Sequence, residues 1–411
     1  MKRVNTTSKM KLMLLSLICY FGLAGSIGLA CSFKYINYNF ENGSPLFYEV
    51  QADSSVLISM IYDNERNSPN RAAGHWHFQV LATKGSEMKL VLQNFDNIWN
   101  GQHGYAIEDE TSCYLSVDGK NWQAIETTMT PEHRLEIDFI MPDDSVYVAR
   151  LEPYRISDLE KLKSEIENNP FIQITTIGQT VENRPLEIIR VGHANAPNRL
   201  FIRGRAHAWE PGGSWVIQGL IRNLLKNDPK TNEYLERYCI YILPMANKDR
   251  VAHGGTRFNL QGKDLNRNWD KKAYPYLSPE NAALEKWLTN QIELGLKPDL
   301  AIDFHNDAGG NLHLAKPDIN LDSYLANMGR FEALLYKYTW FTEGGMHSNF
   351  RNPGSIGEGL LERYGINALI YELNANWIAG LNKMPLGKDW MLLGEQLCDV
   401  FYNYFSESDK K

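Results

Sequence analysis

Cysteine is scarce. The 411 residues hold five, and past position 31 only Cys113, Cys239 and Cys398 remain. Three widely spaced thiols build neither a disulfide framework nor a Cys-based zinc motif. Cys239, inside the apolar run Cys239-Ile240-Tyr241-Ile242-Leu243, reads as a packing residue. Long basic runs are missing too, and the net charge is −7. A nucleic-acid binder needs clustered Lys and Arg to displace counterions, so nucleic acid is excluded as a partner. Repeats and low-complexity tracts are absent. An apolar share of 43% with 22% charged residues excludes a disordered chain, a coiled coil and a multispanning membrane protein. The length suits two or three domains.

One long apolar run does occur, at the start. Lys2, Arg3, Lys9 and Lys11 precede it without any acid, Leu12 to Ala30 form it, and Cys31 follows. A basic region, a short apolar region and small residues near its end read as a secretory signal peptide over residues 1–30. The competing reading is an uncleaved anchor, against which the small residues Gly25-Ser26-Ile27-Gly28-Leu29-Ala30 argue. Gly28-Leu29-Ala30-Cys31 is also similar to a bacterial lipobox, although Gly28 stands where a larger aliphatic residue is usual. Lipidation of Cys31 would attach the chain to a membrane; ordinary cleavage after Ala30 gives the same boundary. The expected location is outside the cytoplasm, as a cell-envelope lipoprotein or a periplasmic or secreted protein. Without the leader, 38 basic residues face 49 acidic ones, near −11.

From Phe33 to about Pro153 short strand-like runs follow one another, among them Val56–Met60, Met88–Leu92 and Ser145–Ala149, with a tight-turn signal at Asp118-Gly119. Strand after strand with almost no helix predicts an all-β sandwich domain over residues 31–153. Trp99 and Trp122 belong to its core on the ordinary reading, or to a carbohydrate-binding face. The texture changes over 154–411. Ser157 with Glu160 forms a capping box for a first helix. Two strands surround the turn at Glu182-Asn183-Arg184-Pro185. Then the apolar strands Leu200–Ile202, Cys239–Leu243, Leu300–Phe304 and Ala368–Tyr371 alternate with helices near 213–225, 279–294, 321–338 and 389–405. That alternation predicts an α/β domain on a mixed, largely parallel sheet.

Polar residues follow each of these strands. They are His207 and Glu210 after the first, Asn247 and Asp249 after the second, His305 after the third and Glu372 after the fourth. Parallel strands bring their carboxyl ends to one edge, where open α/β folds bind ligands. Two His and one Glu around an open position make a catalytic zinc pattern. His-x-x-Glu alone is more often a surface pair; a second His and a Glu ending other strands turn the balance. His207, Glu210 and His305 are the candidate zinc ligands, with the 207/210 spacing read as the start of a helix. Glu372 is the candidate general base. Arg257 can stabilise an oxyanion. Asn266 and Arg267 suit a free carboxylate, and Asp264 suits the far ring nitrogen of a ligand imidazole. Read alone, 247–269 is a polar loop.

Taken together, His207-x-x-Glu210, Asp264-x-Asn266-Arg267-Asn268-Trp269, Asp303-x-His305 and a strand-borne Glu372 resemble the M14 metallocarboxypeptidases over roughly residues 155–405. Asn247-x-Asp249, Gly255-x-Arg257 and the preceding β-rich domain are similar to the cytosolic-carboxypeptidase-like branch. The resemblance implies one zinc ion per chain on His207, Glu210 and His305. It also implies Arg257 as oxyanion stabiliser, Asn266 and Arg267 as binders of the substrate's terminal carboxylate, and Glu372 as base. The implied substrate is a peptide with a free C-terminal carboxylate. The chain departs from the branch in reading His207-Ala208-Trp209-Glu210 for His-Pro-Gly-Glu and Asn247-Lys248-Asp249-Arg250 for Asn-Pro-Asp-Gly. Counting back from Glu372 to the family's substrate-capping Tyr lands near Phe350, and Tyr364 is too close to take its place. His347, Arg351, Glu358, Glu362 and Arg363 lie in the stretch expected to border the terminal side chain, with exposure the ordinary fate of Arg351 and Arg363. Two other readings stay open. One is a zinc amidohydrolase for γ-linked cell-wall peptides or N-acyl amino acids. The other is a non-catalytic peptide binder on the same fold.

Overall fold

The structure, a computed structural model, describes residues 33–315, 321–342, 346–347 and 354–406. The expected leader, Cys31, Phe350 and Arg351 lie outside the described residues. Among those residues no helix is long and apolar enough to cross a membrane.

Two five-stranded sheets share one apolar core in the N-terminal part. The first runs Phe33–Asn37, His77–Ala82, Ser145–Ala149, Cys113–Ser116, Gln123–Ile125. The second runs Thr128–Met129, Leu135–Ile140, Glu87–Gln93, Val56–Met60, Leu46–Val50. Alternation does the sorting: Val56, Ile58 and Met60 of one sheet and Val146 and Val148 of the other point into the same cluster. A four-stranded sheet, Asp63–Asn64, Arg71–Ala72, Asp96–Trp99 and Gln102–Tyr105, was not foreseen, because strands of two to four residues carry no readable period. Its last hairpin turns at Asn100-Gly101, both at positive φ (50° and 75°), as a two-residue hairpin turn demands.

The C-terminal part is built on an eight-stranded mixed sheet. Its order is Ile172–Gln179, Pro185–Val191, Tyr238–Leu243, Asn198–Gly204, Leu300–Asp307, Asn367–Asn374, Asn311–Leu314, Met346–His347. The four strands from Tyr238–Leu243 to Asn367–Asn374 are mutually parallel. Both faces are covered, so these strands are apolar almost throughout. Leu200, Ile202, Ile302 and Leu369 pack against Gly212–Leu224, Leu321–Tyr338 and Gly387–Ser406 on one face. Phe201, Cys239, Ala301 and Ala368 pack against Pro279–Glu293 and Ile356–Tyr364 on the other, which makes Cys239 the packing residue its sequence implied. The first helix, Ile156–Ile166, is capped differently from expectation. The Asp158 carboxylate accepts from the Arg155 backbone N–H at 2.8 Å. Ser157 instead donates from both N and Oγ to Glu41 of the sandwich, which brings a carboxylate to the positive end of the helix.

The two parts meet through backbone. Asn42 N–H donates to Ala252 O at 3.1 Å and Arg66 N–H to Gly262 O at 2.8 Å. Gly254 lies at φ 59°, and a Cβ there would stand 2.2 Å from Gly43 O. Gly295 shares the left-handed conformation (φ 74°) but faces open space. Gly295→Ala should therefore cost only the conformational penalty of about 1 kcal/mol. Gly254→Ala adds an overpacking cost of about 1–3 kcal/mol at the domain contact. Urea unfolding midpoints compare them; equal losses would show that the contact is soft.

Candidate metal centre and its surroundings

His207 and Glu210 sit in the tight connection between Asn198–Gly204 and Gly212–Leu224, ahead of the helix and not on it. Arg205 makes the corner, buried and at φ 58°, a conformation uncommon outside glycine and frequent at functional sites. The three-residue spacing is thus set by a turn, closed by Glu210 N–H on His207 O at 3.4 Å. His305 lies on Leu300–Asp307 and Glu372 on Asn367–Asn374, where they are register partners in neighbouring parallel strands.

His207, Glu210 and His305 are buried, and one ligand atom of each falls within 4.8 Å of the others. His207 Nδ1 is 2.9 Å from Glu210 Oε1, His305 Nδ1 is 2.7 Å from Glu210 Oε2, and the two Nδ1 atoms are 3.1 Å apart. Each imidazole turns its other nitrogen to a carboxylate: His207 Nε2 lies 3.1 Å from Asp264 Oδ1 and His305 Nε2 lies 2.7 Å from Asp303 Oδ2. With Nε2–H donated outward, a neutral ring presents a bare Nδ1 lone pair inward. Two such lone pairs beside a carboxylate repel one another unless a cation sits among them. Two imidazole nitrogens and one carboxylate are a donor set that fits zinc.

The electrostatics follow the same geometry. Burial alone would push the His305 imidazole down, but Asp303 and Glu210 outweigh it and hold it well above its usual range. Burial would raise the Asp264 carboxyl, yet Arg257, Arg267 and His207 keep it well below the usual carboxylate range. Glu372 is pushed up to about 8, chiefly by burial; His305 opposes the shift and Glu210 adds to it. A divalent cation beside it would bring it back down.

The remaining predicted residues divide. Asp264 joins His207 to Arg257, whose Nε donates to Asp264 Oδ2 at 2.9 Å. Arg267 flanks Arg257, aimed by hydrogen bonds from Nη1 to Asn266 O (2.7 Å) and from Nε to Asn100 Oδ1 (3.3 Å). Asn266 is engaged with the protein: its Oδ1 accepts from Ile356 N–H at 2.9 Å and its Nδ2 lies 3.3 Å from His305 Nε2. Asn247 Nδ2 ties together the backbones of Ala206 and Arg257, and Asp249 anchors Thr180 and Arg184. The stretch 247–269 thus opens with a short helix, Lys248–Ala252, and is more than a polar loop. Arg363 neither reaches the centre nor lies exposed; it pairs with Glu285 at 2.5 Å. Glu358 accepts from Gly354 N–H at the start of Ile356–Tyr364.

Three residues given no role by the sequence emerge. Asp303 orients His305, and Arg203 grips Asp303 through two bonds of 2.8 and 2.6 Å. A signal existed, since Asp303 stands two residues before His305 and so shares its strand face. The third addition is Asp63 of the sandwich, whose Oδ2 accepts from the N–H groups of Thr256 and Arg257 at 2.9 and 2.8 Å. Asp264→Asn should weaken zinc binding about 10–100-fold by loosening His207. Competition with a chelating dye measures it, and unchanged affinity would remove Asp264 from the support of the metal.

Comparison with known proteins agrees with this geometry. Residues 159–306 match the zinc carboxypeptidase family of M14 peptidases, and residues 36–151 match the cytosolic carboxypeptidase N-terminal domain. Human cytosolic carboxypeptidase 2 is 26% identical over 189 residues, 43% of this chain and 20% of that protein. Cytosolic carboxypeptidase 6 of Caenorhabditis elegans is 31% identical over 133 residues, 31% of this chain and 29% of that one. The chain therefore spans under a third of the length of either relative. Among solved structures, a metallo-carboxypeptidase from Burkholderia cenocepacia shares the fold with a TM-score of 0.79 at 20% identity, covering 91% of this chain and 99% of the other. One from Pseudomonas aeruginosa shares it at 0.76 and 21%, covering 91% and 100%. The chain joins an M14 zinc carboxypeptidase domain to a cytosolic carboxypeptidase N-terminal domain.

Proposed function

We propose that this protein is a zinc-dependent carboxypeptidase that removes C-terminal residues from peptides. The observation that carries the reading is the coupling of the metal cluster to a pair of guanidinium groups. Asp264 touches His207 on one side and Arg257 on the other, with Arg267 next to Arg257. A hydrolase that needs a free C-terminus requires a cation for the terminal carboxylate within one residue's reach of the metal.

Zinc, held by His207, Glu210 and His305, would polarise the scissile carbonyl and lower the pKa of water toward about 7. The chain's own groups do the rest. Arg267 binds the terminal carboxylate. Arg257, held by Asp264, faces the negative charge that develops on the carbonyl oxygen. Glu372 takes a proton as water adds to the carbonyl carbon and returns it to the departing nitrogen as the C–N bond breaks.

Glu372→Gln should keep zinc and lose on the order of 10²-fold or more in kcat. Arg267→Ala should raise KM for a free C-terminus, and C-terminal amidation should protect a peptide from the wild type. Cleavage of amidated and free peptides at equal rates would refute an exopeptidase.

The N-terminal segment extends the proposal to location: export under the signal at 1–30, with Cys31 as lipid acceptor. A palmitate analogue should label the wild type and not Cys31→Ser; an unlabelled wild type leaves a free periplasmic or secreted enzyme.

A further inference from the structure

Two cavities flank the metal cluster. The smaller, about 160 Å³, is bordered by Arg257, Asp264 and Arg267 and by Trp99 and Asn100 of the sandwich hairpin. The larger, about 280 Å³, is bordered by Glu210, Trp209 and Asp307 and by Trp99, Tyr105 and Ile107. Trp99 alone lines both, so the hairpin stands at the divide between them.

A peptide whose terminal carboxylate lies at Arg267 and whose scissile carbonyl lies at the cluster has one direction left for its upstream residue. That direction is the Glu210 side. We propose that the larger cavity receives the side chain immediately upstream of the scissile bond and selects a bulky apolar or aromatic group over an acidic one. The inference rests on the carboxypeptidase reading and deepens it.

The wall is built and held. The Trp99 ring lies across Gly104 on the facing strand, where a Cβ would come within 3.1 Å of it. Tyr105 stacks on His133 with ring centroids 3.6 Å apart and planes 16° apart. Asp307 and Glu108 border the same space. The cation there, Arg150, is occupied by the carbonyl and hydroxyl of Ser112 (3.2 and 3.1 Å) and by Asn376 Oδ1. An acidic side chain would meet two carboxylates and a guanidinium already satisfied, at a desolvation cost without return. An aromatic side chain meets two indoles and a phenol.

The test uses the zinc-loaded protein and peptides identical except for Phe, Ala or Glu upstream of one C-terminal residue. Phe should exceed Glu in kcat/KM by roughly tenfold or more, with Ala between. Trp99→Ala should shrink the Phe-to-Ala ratio, and Tyr105→Ala, at the exposed edge, should shrink it less. Tyr105→Ala serves as the second variant should Trp99→Ala not fold. A flat series, or a preference for Glu, overturns the subsite while leaving the carboxypeptidase intact. Cleavage of none of the peptides overturns both.

Discussion

Two imidazole Nδ1 atoms 3.1 Å apart, each against one oxygen of the same Glu210 carboxylate, form an arrangement that a folded chain does not keep without a reason. Two neutral rings turned this way oppose lone pair to lone pair, and side chains with rotameric freedom move apart to avoid that unless a cation sits between them. Here the movement is blocked from behind. Asp264 and Asp303 each hold the far nitrogen of one ring, so both rings can only face inward. The structure around the centre is largely the means of enforcing that orientation. A corner at Arg205 delivers His207 and Glu210, two parallel strands deliver His305 and Glu372, and carboxylates lock the rings.

Those carboxylates are buried as well, and burial by itself would protonate them. Each is kept ionised by an arginine: Arg203 on Asp303 and Arg257 on Asp264. The two candidate ligand histidines thus share one design, arginine to carboxylate to imidazole, built from different elements. A buried ion pair such as Arg203–Asp303 adds little to stability compared with apolar residues of the same size. Its presence next to the apolar run of Leu, Phe, Ile and Ala in these two strands is better explained by Asp303 Oδ2, which serves Arg203 and His305 at once. On the other side Arg257 lays both Nε and Nη2 within 2.9 Å of Asp264 Oδ2, which leaves Nη1 for a developing negative charge. One guanidinium therefore couples ligand orientation to the proposed chemistry.

Much of this was legible in the chain. Runs such as Leu300–Phe304 reveal buried parallel strands, and a polar residue just past each run is informative because all such ends share an edge. That logic reaches His207, His305 and Glu372 without knowledge of the fold. It stops where residues are brought together by loops. Asp63 and Asn100 lie on strands and a turn too short to show a period, between 167 and 194 residues from the groups they touch. Asp303 was within reach of a period-two argument, but its place in an apolar strand looked like a strand end. Ser157 satisfied a local capping rule and lost to Glu41, a residue 116 positions away. The helix Pro229–Arg237 carried both a capping Asp228 and a proline in its first turn, signals that were there to be read. Arg363, which its charge alone would place in solvent or in the pocket, sits against Glu285, since an arginine near a pocket is no closer to it than its rotamer allows.

The sandwich is better described as part of the site than as an appendage. Asp63 holds the backbone of Thr256 and Arg257, Asn100 holds the side chain of Arg267, and Gly74 leaves room for the ring of Trp209, which stands in sequence between the candidate ligands His207 and Glu210; a Cβ at Gly74 would come within 2.3 Å of that ring. An isolated α/β domain would leave the Thr256 and Arg257 amides without their acceptor and the Trp209 ring without its cover. Buried amides lacking partners cost about 1–3 kcal/mol each, enough for the loop carrying Arg257 to rearrange before the sheet beneath it responds. The same contacts explain why the β-rich domain borders both cavities. It sets the position of the two arginines from above, while the parallel sheet and the corner at Arg205 set the candidate metal ligands from below, and the cleft exists only where the two agree.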